Sequence, residues 1–141
     1  MGEGELREIA IRLHAASIRL LRSLRREDNE SGLSAPRMSA LSVVVFTGPL
    51  SLGALADAEQ VRAPTMSRIV DALVEASLVT RVTRTDDRRA VSIAATKEGI
   101  ALMEAGRERR VARLSLQLER LADSEIRALG RGIELLERIS R

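Results

Sequence analysis

Residues 51–77, SLGALADAEQVRAPTMSRIVDALVEAS, predict two short helices joined by a connection of three residues. Ser51 can cap the first helix, whose leucine and alanine side chains form an apolar face. The second helix opens at Ala63–Pro64, because proline is tolerated in a first helical turn. Its buried stripe is expected to consist of five apolar residues: Met66, Ile69, Val70, Leu73 and Val74. Two short helices with so tight a joint are typical of a helix-turn-helix.

The sequence that follows predicts a β-hairpin. Leu78–Arg84 and Ala90–Ala94 are short segments rich in valine, threonine and isoleucine, which favour strands. The turn between them is strongly charged, since TRTDDRRAV, residues 83–91, contains two carboxylates and three arginines. A charged hairpin directly after a helix-turn-helix indicates a wing.

Amphipathic helices are predicted on both sides of this region. Apolar residues recur at helical spacing in residues 6–28, a short buried helix is expected at Ser39–Phe46, and a long helix should run from Lys97 to about Leu121. A last helix should follow a cap at Asp123–Ser124. Because the first and last helices have no evident core of their own, we expect their apolar stripes to be buried in a second copy of the chain.

This order of elements resembles the multiple-antibiotic-resistance regulator (MarR) family of bacterial transcription factors. The resemblance is carried by LGALADAEQVRAPTMSRIVDALVEASLVTRV (52–82) and DDRRAVSIAATKEG (86–99). These match a pattern of Leu-Ala, Pro-Thr-x-Thr-Arg, Gly-Leu-Val-x-Arg, Asp-x-Arg-Arg and Leu-Thr-x-x-Gly. The chain departs from this pattern at four positions: Arg62 replaces a capping serine, Ser67 a threonine, Ser77 a glycine and Ala95 a leucine.

The resemblance implies a mostly α fold with a small β-hairpin wing, and a dimer formed by the N- and C-terminal helices. We expect one MarR-like domain over residues 1–141, with a winged helix-turn-helix core at 36–99 and dimerisation helices at 1–30 and 100–141. The implied function is a sequence-specific regulator of transcription that binds double-stranded DNA. The finer expectation is a ligand-responsive repressor, which binds a near-palindromic operator as a homodimer in the cytoplasm.

The first group of candidate DNA-binding residues lies at the start of the second helix of the helix-turn-helix. It comprises Arg62, Thr65, Ser67 and Arg68. An arginine can bind guanine through two hydrogen bonds, and hydroxyls can bind phosphates or bases. For Arg68, the alternative is a surface salt bridge with Asp71 or Glu75.

The second group lies in the hairpin. Arg81 and Arg84 flank the strands and are expected to contact phosphates. The resemblance places Arg89 in the minor groove, and Arg88 is its neighbour in the sequence. Asp87 is expected to hold an arginine or a loop amide in one geometry. The alternative is a solvated turn whose surface ion pairs contribute little to the stability of the fold.

The resemblance also implies a small lipophilic or phenolic effector, bound between the dimer helices and the winged domain. By position, the candidate pocket residues are His14, Ser17, Met38, Ser42 and Phe46. His14 is the only histidine, and its place near the apolar stripe of the first helix predicts a buried or half-buried side chain.

Composition excludes several other functions. The chain has no cysteine, which excludes disulfides and thiolate metal sites, and a single histidine cannot form a structural metal site. Phe46 is the only aromatic residue, which argues against binding of single strands by base stacking. No secretory signal and no apolar run of the ~18 residues that span a bilayer is visible. We find no catalytic constellation and expect neither an enzyme nor a cofactor.

The type of basic residue is more informative about function than the net charge. The net charge is only +3, but all 23 basic residues except Lys97 are arginine. Arginine suits phosphates and base edges, although a G+C-rich genome would also enrich it. A winged-helix module that binds proteins and has lost DNA binding is the alternative function. The arginines at positions 62, 68, 88 and 89 argue against that alternative.

Overall fold

The computed structural model describes residues 2–83 and 91–140. Within these residues the chain is mostly helical with a small sheet, and the predicted fold class is confirmed. The helices are α1 Glu3–Asp28, α2 Ala35–Thr47, α3 Leu52–Ala58, α4 Ala63–Glu75, α5 Lys97–Leu118 and α6 Asp123–Ile139. The strands are β1 Leu50–Ser51, β2 Val79–Thr83 and β3 Val91–Ala95, and a 3₁₀ turn at Asn29–Ser31 follows α1.

Helix starts depend on caps and on proline. The Ser51 hydroxyl accepts a hydrogen bond from the Ala54 amide at 3.1 Å, which confirms the predicted cap of α3. The helix α2 begins earlier than Ser39, because Pro36 fits its first turn. The predicted cap of α6 is wrong in detail: Asp123 is already helical, and Glu125 instead accepts a hydrogen bond from the Ala122 amide at 2.9 Å.

The sheet contains three strands where the sequence predicted two. β3 is central and pairs antiparallel with both β1 and β2. The unpredicted strand β1 has only two residues, with Leu50 opposite Ile93, and so short a segment shows no alternation. The third strand connects the start of the helix-turn-helix to Ser92 and Ile93 of β3.

One compact core joins the helix-turn-helix to the sheet. Its fully buried side chains come from α2, α3, α4, β2 and β3, and the largest are Leu41, Val44, Leu55, Met66, Val70, Leu73, Val79 and Ile93. Among the described residues no polar or charged side chain is buried. The core therefore derives its stability from apolar burial, which fixes the orientation of α4.

Both helices of the helix-turn-helix end in a left-handed residue that is not glycine. At the end of α4, Ser77 has a φ of 59°, its amide donates to the Val74 carbonyl at 2.9 Å, and the Leu78 amide donates to the Leu73 carbonyl at 2.9 Å. These two hydrogen bonds form a Schellman motif. Gln60, with a φ of 54°, ends α3 in the same way. Ser77 therefore adopts a left-handed conformation that glycine usually occupies at a helix end.

The segment after α4 is held against the start of α5. The Thr96 hydroxyl donates to the Ser77 carbonyl at 2.6 Å and accepts from the Gly99 amide at 3.0 Å, so that Thr96 caps the start of α5. A Cβ on Gly99 would lie 2.1 Å from the Leu78 carbonyl oxygen. Only glycine allows this approach, and the base of β2 is fixed as a result.

The chain divides into two compact units, Met1–Arg107 and Glu108–Arg141, and the boundary falls within α5. In the first unit, no residue of α1 is buried, and in the second the same holds for α6. The side chains of Ile126, Leu129 and Ile133 are each 40–45% exposed along α6. Among the described residues, no helix is both long and apolar enough to cross a bilayer.

The left-handed serine leads to a prediction about stability. We expect Ser77→Gly to stabilise the fold by roughly 1 kcal/mol, since an L-residue is strained in this conformation and glycine is not. Urea unfolding at fixed protein concentration measures the change. Ser77→Ala is the matched control and should leave stability almost unchanged, because alanine is strained in the same way. A glycine variant no more stable than the alanine variant would contradict this account of the helix end.

Candidate nucleic-acid interface

The helix α4 has one buried face and one exposed face. Met66, Val70 and Leu73 are fully buried in the core. Thr65 and Arg68 lie three residues apart, which places them on the same side of the helix, and both are exposed. Burial of the apolar stripe therefore determines which side chains are presented to a partner.

The predicted residues of this helix are brought together, with one difference in exposure. Arg62, Thr65 and Arg68 are exposed, whereas Ser67 is half-buried. Ser67 is therefore less accessible to a base edge than the other three residues.

The start of α4 is suited to an anion. Arg62 is its N-cap residue, and the Arg62 side chain makes no capping hydrogen bond with the described residues. The first-turn amides of a helix have no partners within the helix, and they attract negative charge. Arginine at this position therefore leaves the first-turn amides available to a phosphate and places a cationic residue at the helix start.

An ion pair links α4 to the hairpin. The Nη2 atom of Arg81 on β2 donates a hydrogen bond to Oδ1 of Asp71 on α4. The alternative for Arg68, a salt bridge with Asp71 or Glu75, is not present: Asp71 pairs with Arg81, and within residues 2–83 and 91–140 Arg68 makes no ion pair. In the sequence, helical spacing makes Asp71 a partner for Arg68, and no periodic signal connects Asp71 to Arg81.

The remaining residues of the predicted wing, Arg84, Asp87, Arg88 and Arg89, lie outside the described residues. The strands on either side of them are paired, with Thr83 opposite Val91. The roles predicted for these four residues stay predictions.

The candidate effector residues fall on two helices. Met38 and Ser42 on α2 are half-buried, and Phe46 at the end of that helix is 75% exposed. On α1, the Ser17 hydroxyl donates to the Leu13 carbonyl at 2.9 Å. His14 is exposed in the single chain, so the prediction of a buried or half-buried histidine is wrong here: the stripe beside it packs on no core.

An open groove runs along α1. Leu13 and Ala16 are among the residues that line it, whereas His14 and Ser17 are not. The role of the five candidate residues in binding an effector therefore stays a prediction.

Comparisons with known proteins agree with this geometry. The sequence profile of the MarR family matches residues 33–91, which include α2, the helix-turn-helix and β2. An uncharacterised HTH-type transcriptional regulator of Mycobacterium bovis is 34% identical over 117 residues, which cover 83% of this chain and 82% of the relative. The chain belongs to the MarR family. It is accordingly a DNA-binding transcriptional regulator with a winged helix-turn-helix, and members of this family are not enzymes.

Solved structures of MarR proteins share the fold over nearly the whole chain. A MarR family protein from Bacillus stearothermophilus is 25% identical with a TM-score of 0.79, and the match covers 100% of this chain and 99% of that one. The structure of NadR in complex with 4-hydroxyphenylacetate is also 25% identical, with a TM-score of 0.62 and 91% of each chain covered.

The exposed arginine of α4 leads to a prediction about specificity. We expect Arg68→Ala to weaken DNA binding by about 1–3 kcal/mol and to relax base preference at one position in each half-site, because an arginine can read guanine through two hydrogen bonds. Competition binding with a panel of single-base operator variants measures both effects. Arg7→Ala, which removes an exposed arginine of α1, is the control and should bind like the wild type. Uniform weakening across the panel would mean that Arg68 contacts only phosphate.

Proposed function

We propose that this chain is a homodimeric repressor that binds a near-palindromic operator and responds to a small ligand. The observation that carries the proposal is the exposed face of α4, where Thr65 and Arg68 lie opposite the buried stripe and Arg62 stands at the helix start. This face combines a guanidinium that can read a base edge with uncapped amides that suit a phosphate. It is the expected arrangement of a recognition helix that enters the major groove.

The second element of the proposal is the dimer. Ile126, Leu129, Ile133 and Leu136 follow one another at gaps of three and four residues, and each is at least 38% exposed. On α1, Leu6 and Ile9 are about half exposed. Continuous apolar surface of this kind marks an interaction site. A second copy of the chain would bury both stripes, and the proposed organisation is a winged core at 36–99 with dimerisation helices at 1–30 and 100–141.

A twofold dimer determines the form of the operator. Two recognition helices related by a twofold axis read two half-sites in opposite orientation, centred about one helical turn apart. Within each half-site, α4 reads the major groove and Arg89, held by Asp87, lies in the neighbouring minor groove. Arg84 and Arg88 contribute positive charge beside the phosphates, and the protein acts in the cytoplasm, where bacterial DNA lies.

The third element is the effector, for which the NadR complex supports a phenolic compound. The half-buried side chains of Met38 and Ser42 provide one apolar and one polar wall, with Phe46, His14 and Ser17 as further candidates. The dimer can adopt a form whose recognition helices have the wrong spacing for DNA. An effector that binds this form more tightly than the DNA-bound form would release the operator.

Selection of bound duplexes from a random DNA library, with the purified full chain, tests this function. We expect one enriched near-palindrome, whose half-sites are centred about one helical turn apart. The alternative, a winged-helix module that binds proteins, predicts no enrichment and no salt-dependent affinity for any duplex. Enrichment of a single, non-repeated site would contradict the symmetric dimer but not DNA binding.

The exposed stripe of α6 leads to a prediction about assembly. Sedimentation equilibrium at micromolar concentration should give twice the chain mass of 15.4 kDa. We expect Ile133→Asp to dissociate and unfold the protein. A charge is unfavourable in a stripe that the dimer would bury, and an obligate dimer often has no stable monomer.

Arg131→Asp is the matched control for this prediction. Arg131 lies on the opposite side of α6, so that an aspartate there should leave the dimer intact. A folded wild-type monomer at micromolar concentration would contradict the proposed architecture, as would an Ile133→Asp protein that remains dimeric.

A further inference from the structure

The ion pair between Asp71 and Arg81 lies beside the proposed DNA-binding surface of α4. Asp71 lies one turn after Arg68 on α4, so it is on the side of the recognition helix that faces the proposed DNA. Its side chain is 62% exposed, and that of Arg81 is 40% exposed. A carboxylate at such a place is repelled by DNA, which carries about one negative charge per 1.7 Å of helix axis. Its partner on β2 cancels that charge.

The backbone on both sides of the pair is fixed by the core. Arg81 lies opposite Ile93 in the central pairing of the sheet, and Ile93 is fully buried. Two residues before Arg81, the side chain of Val79 is buried, and α4 is anchored by Val70 and Leu73 on either side of Asp71. The two charged groups are therefore presented to each other by rigid elements.

The chemistry of the guanidinium leaves room for a second partner. A guanidinium has five N–H donors, and the contact with Asp71 uses the Nη2 atom of Arg81. An unrestrained arginine loses rotamer freedom when it binds a phosphate, whereas one already held by a carboxylate loses less. An exposed ion pair changes the folding equilibrium by no more than about fivefold, so fold stability is a minor effect of this contact.

We propose that Asp71 is a positioning residue for DNA binding: it holds the Arg81 guanidinium against α4, where its remaining donors bind a backbone phosphate beside the major groove. Asp71 itself does not contact DNA. The inference rests on the proposed function only in that α4 is the helix that faces DNA. The contact with phosphate is independent of base sequence, and it can therefore be tested without the operator.

The charge of Asp71 makes the two explanations differ in sign. If Asp71 is only a negative charge near DNA, Asp71→Asn removes repulsion, so that binding becomes tighter. If Asp71 positions Arg81, the same substitution weakens binding, even though the protein becomes more positive. Glu75→Gln is the matched control, since Glu75 is an exposed acid one turn further along α4 that forms no ion pair with the described residues.

The experiment measures the affinity of the full chain for a mixed-sequence DNA duplex at several salt concentrations. The variants are Asp71→Asn, Asp71→Glu, Glu75→Gln, Arg81→Ala and the Asp71→Asn, Arg81→Ala double variant. We expect Arg81→Ala to weaken binding about tenfold and to reduce the slope of log affinity against log salt by about 0.9 for each phosphate that is no longer neutralised. Asp71→Asn should weaken binding severalfold, Asp71→Glu should restore most of the affinity, and Glu75→Gln should bind at least as tightly as the wild type.

The double variant tests whether the two residues act together. We expect it to bind like Arg81→Ala alone, because Asp71 acts only through Arg81. Additive effects of the two substitutions would overturn the proposal, as would Asp71→Asn binding as tightly as the wild type, or an Arg81→Ala protein with an unchanged salt slope. Thermal unfolding of each variant is also measured without DNA, as a control for stability. A change in stability alone would not change the slope of log affinity against log salt. If the library selection yields no site but these variants behave as expected, the operator-specific function fails while the role of Asp71 stands.

Discussion

The rest of the structure depends on the burial of one face of α4. Met66, Val70 and Leu73 are fully enclosed by side chains from α2, α3 and the sheet, and in the described residues no polar side chain accompanies them into the core. Because a helix has a fixed periodicity, this burial also decides that Thr65, Arg68 and Asp71 are exposed together. The chemistry of the proposed DNA surface is thus set by apolar packing on the far side of the same helix.

Precise placement of the hairpin depends on backbone contacts where α4 ends. Ser77 adopts a left-handed conformation, its carbonyl accepts the Thr96 hydroxyl, and the absence of a side chain at Gly99 lets α5 approach the Leu78 carbonyl. These contacts join α4, β2 and α5 at one point. The ion pair between Asp71 and Arg81 adds a side-chain connection further along the same strand. A strand fixed in this way holds the Arg81 guanidinium in place with little further loss of freedom if a partner binds it.

The two terminal helices show the opposite relation between sequence and packing. Their apolar stripes are as regular as that of α4, yet no residue of α1 or α6 is buried. A stripe that is hydrophobic but exposed is not buried within the single chain, and it is available to a second copy. The same reasoning explains His14, whose place beside such a stripe suggested burial that the single chain does not provide.

The sequence by itself determined the order of the helices, the helix-turn-helix, the strands of the hairpin and the exposed residues of α4, because local periodicity, proline and capping residues report on neighbouring positions. It also indicated the family, through Pro64–Arg68 and Thr96–Gly99. Only the tertiary structure decided the short strand β1, the left-handed conformation of Ser77, and the pairing of Asp71 with Arg81 in place of Arg68. Each of these depends on atoms that are distant in sequence or on a backbone geometry imposed by the core. A pattern within a single segment contains no record of such contacts.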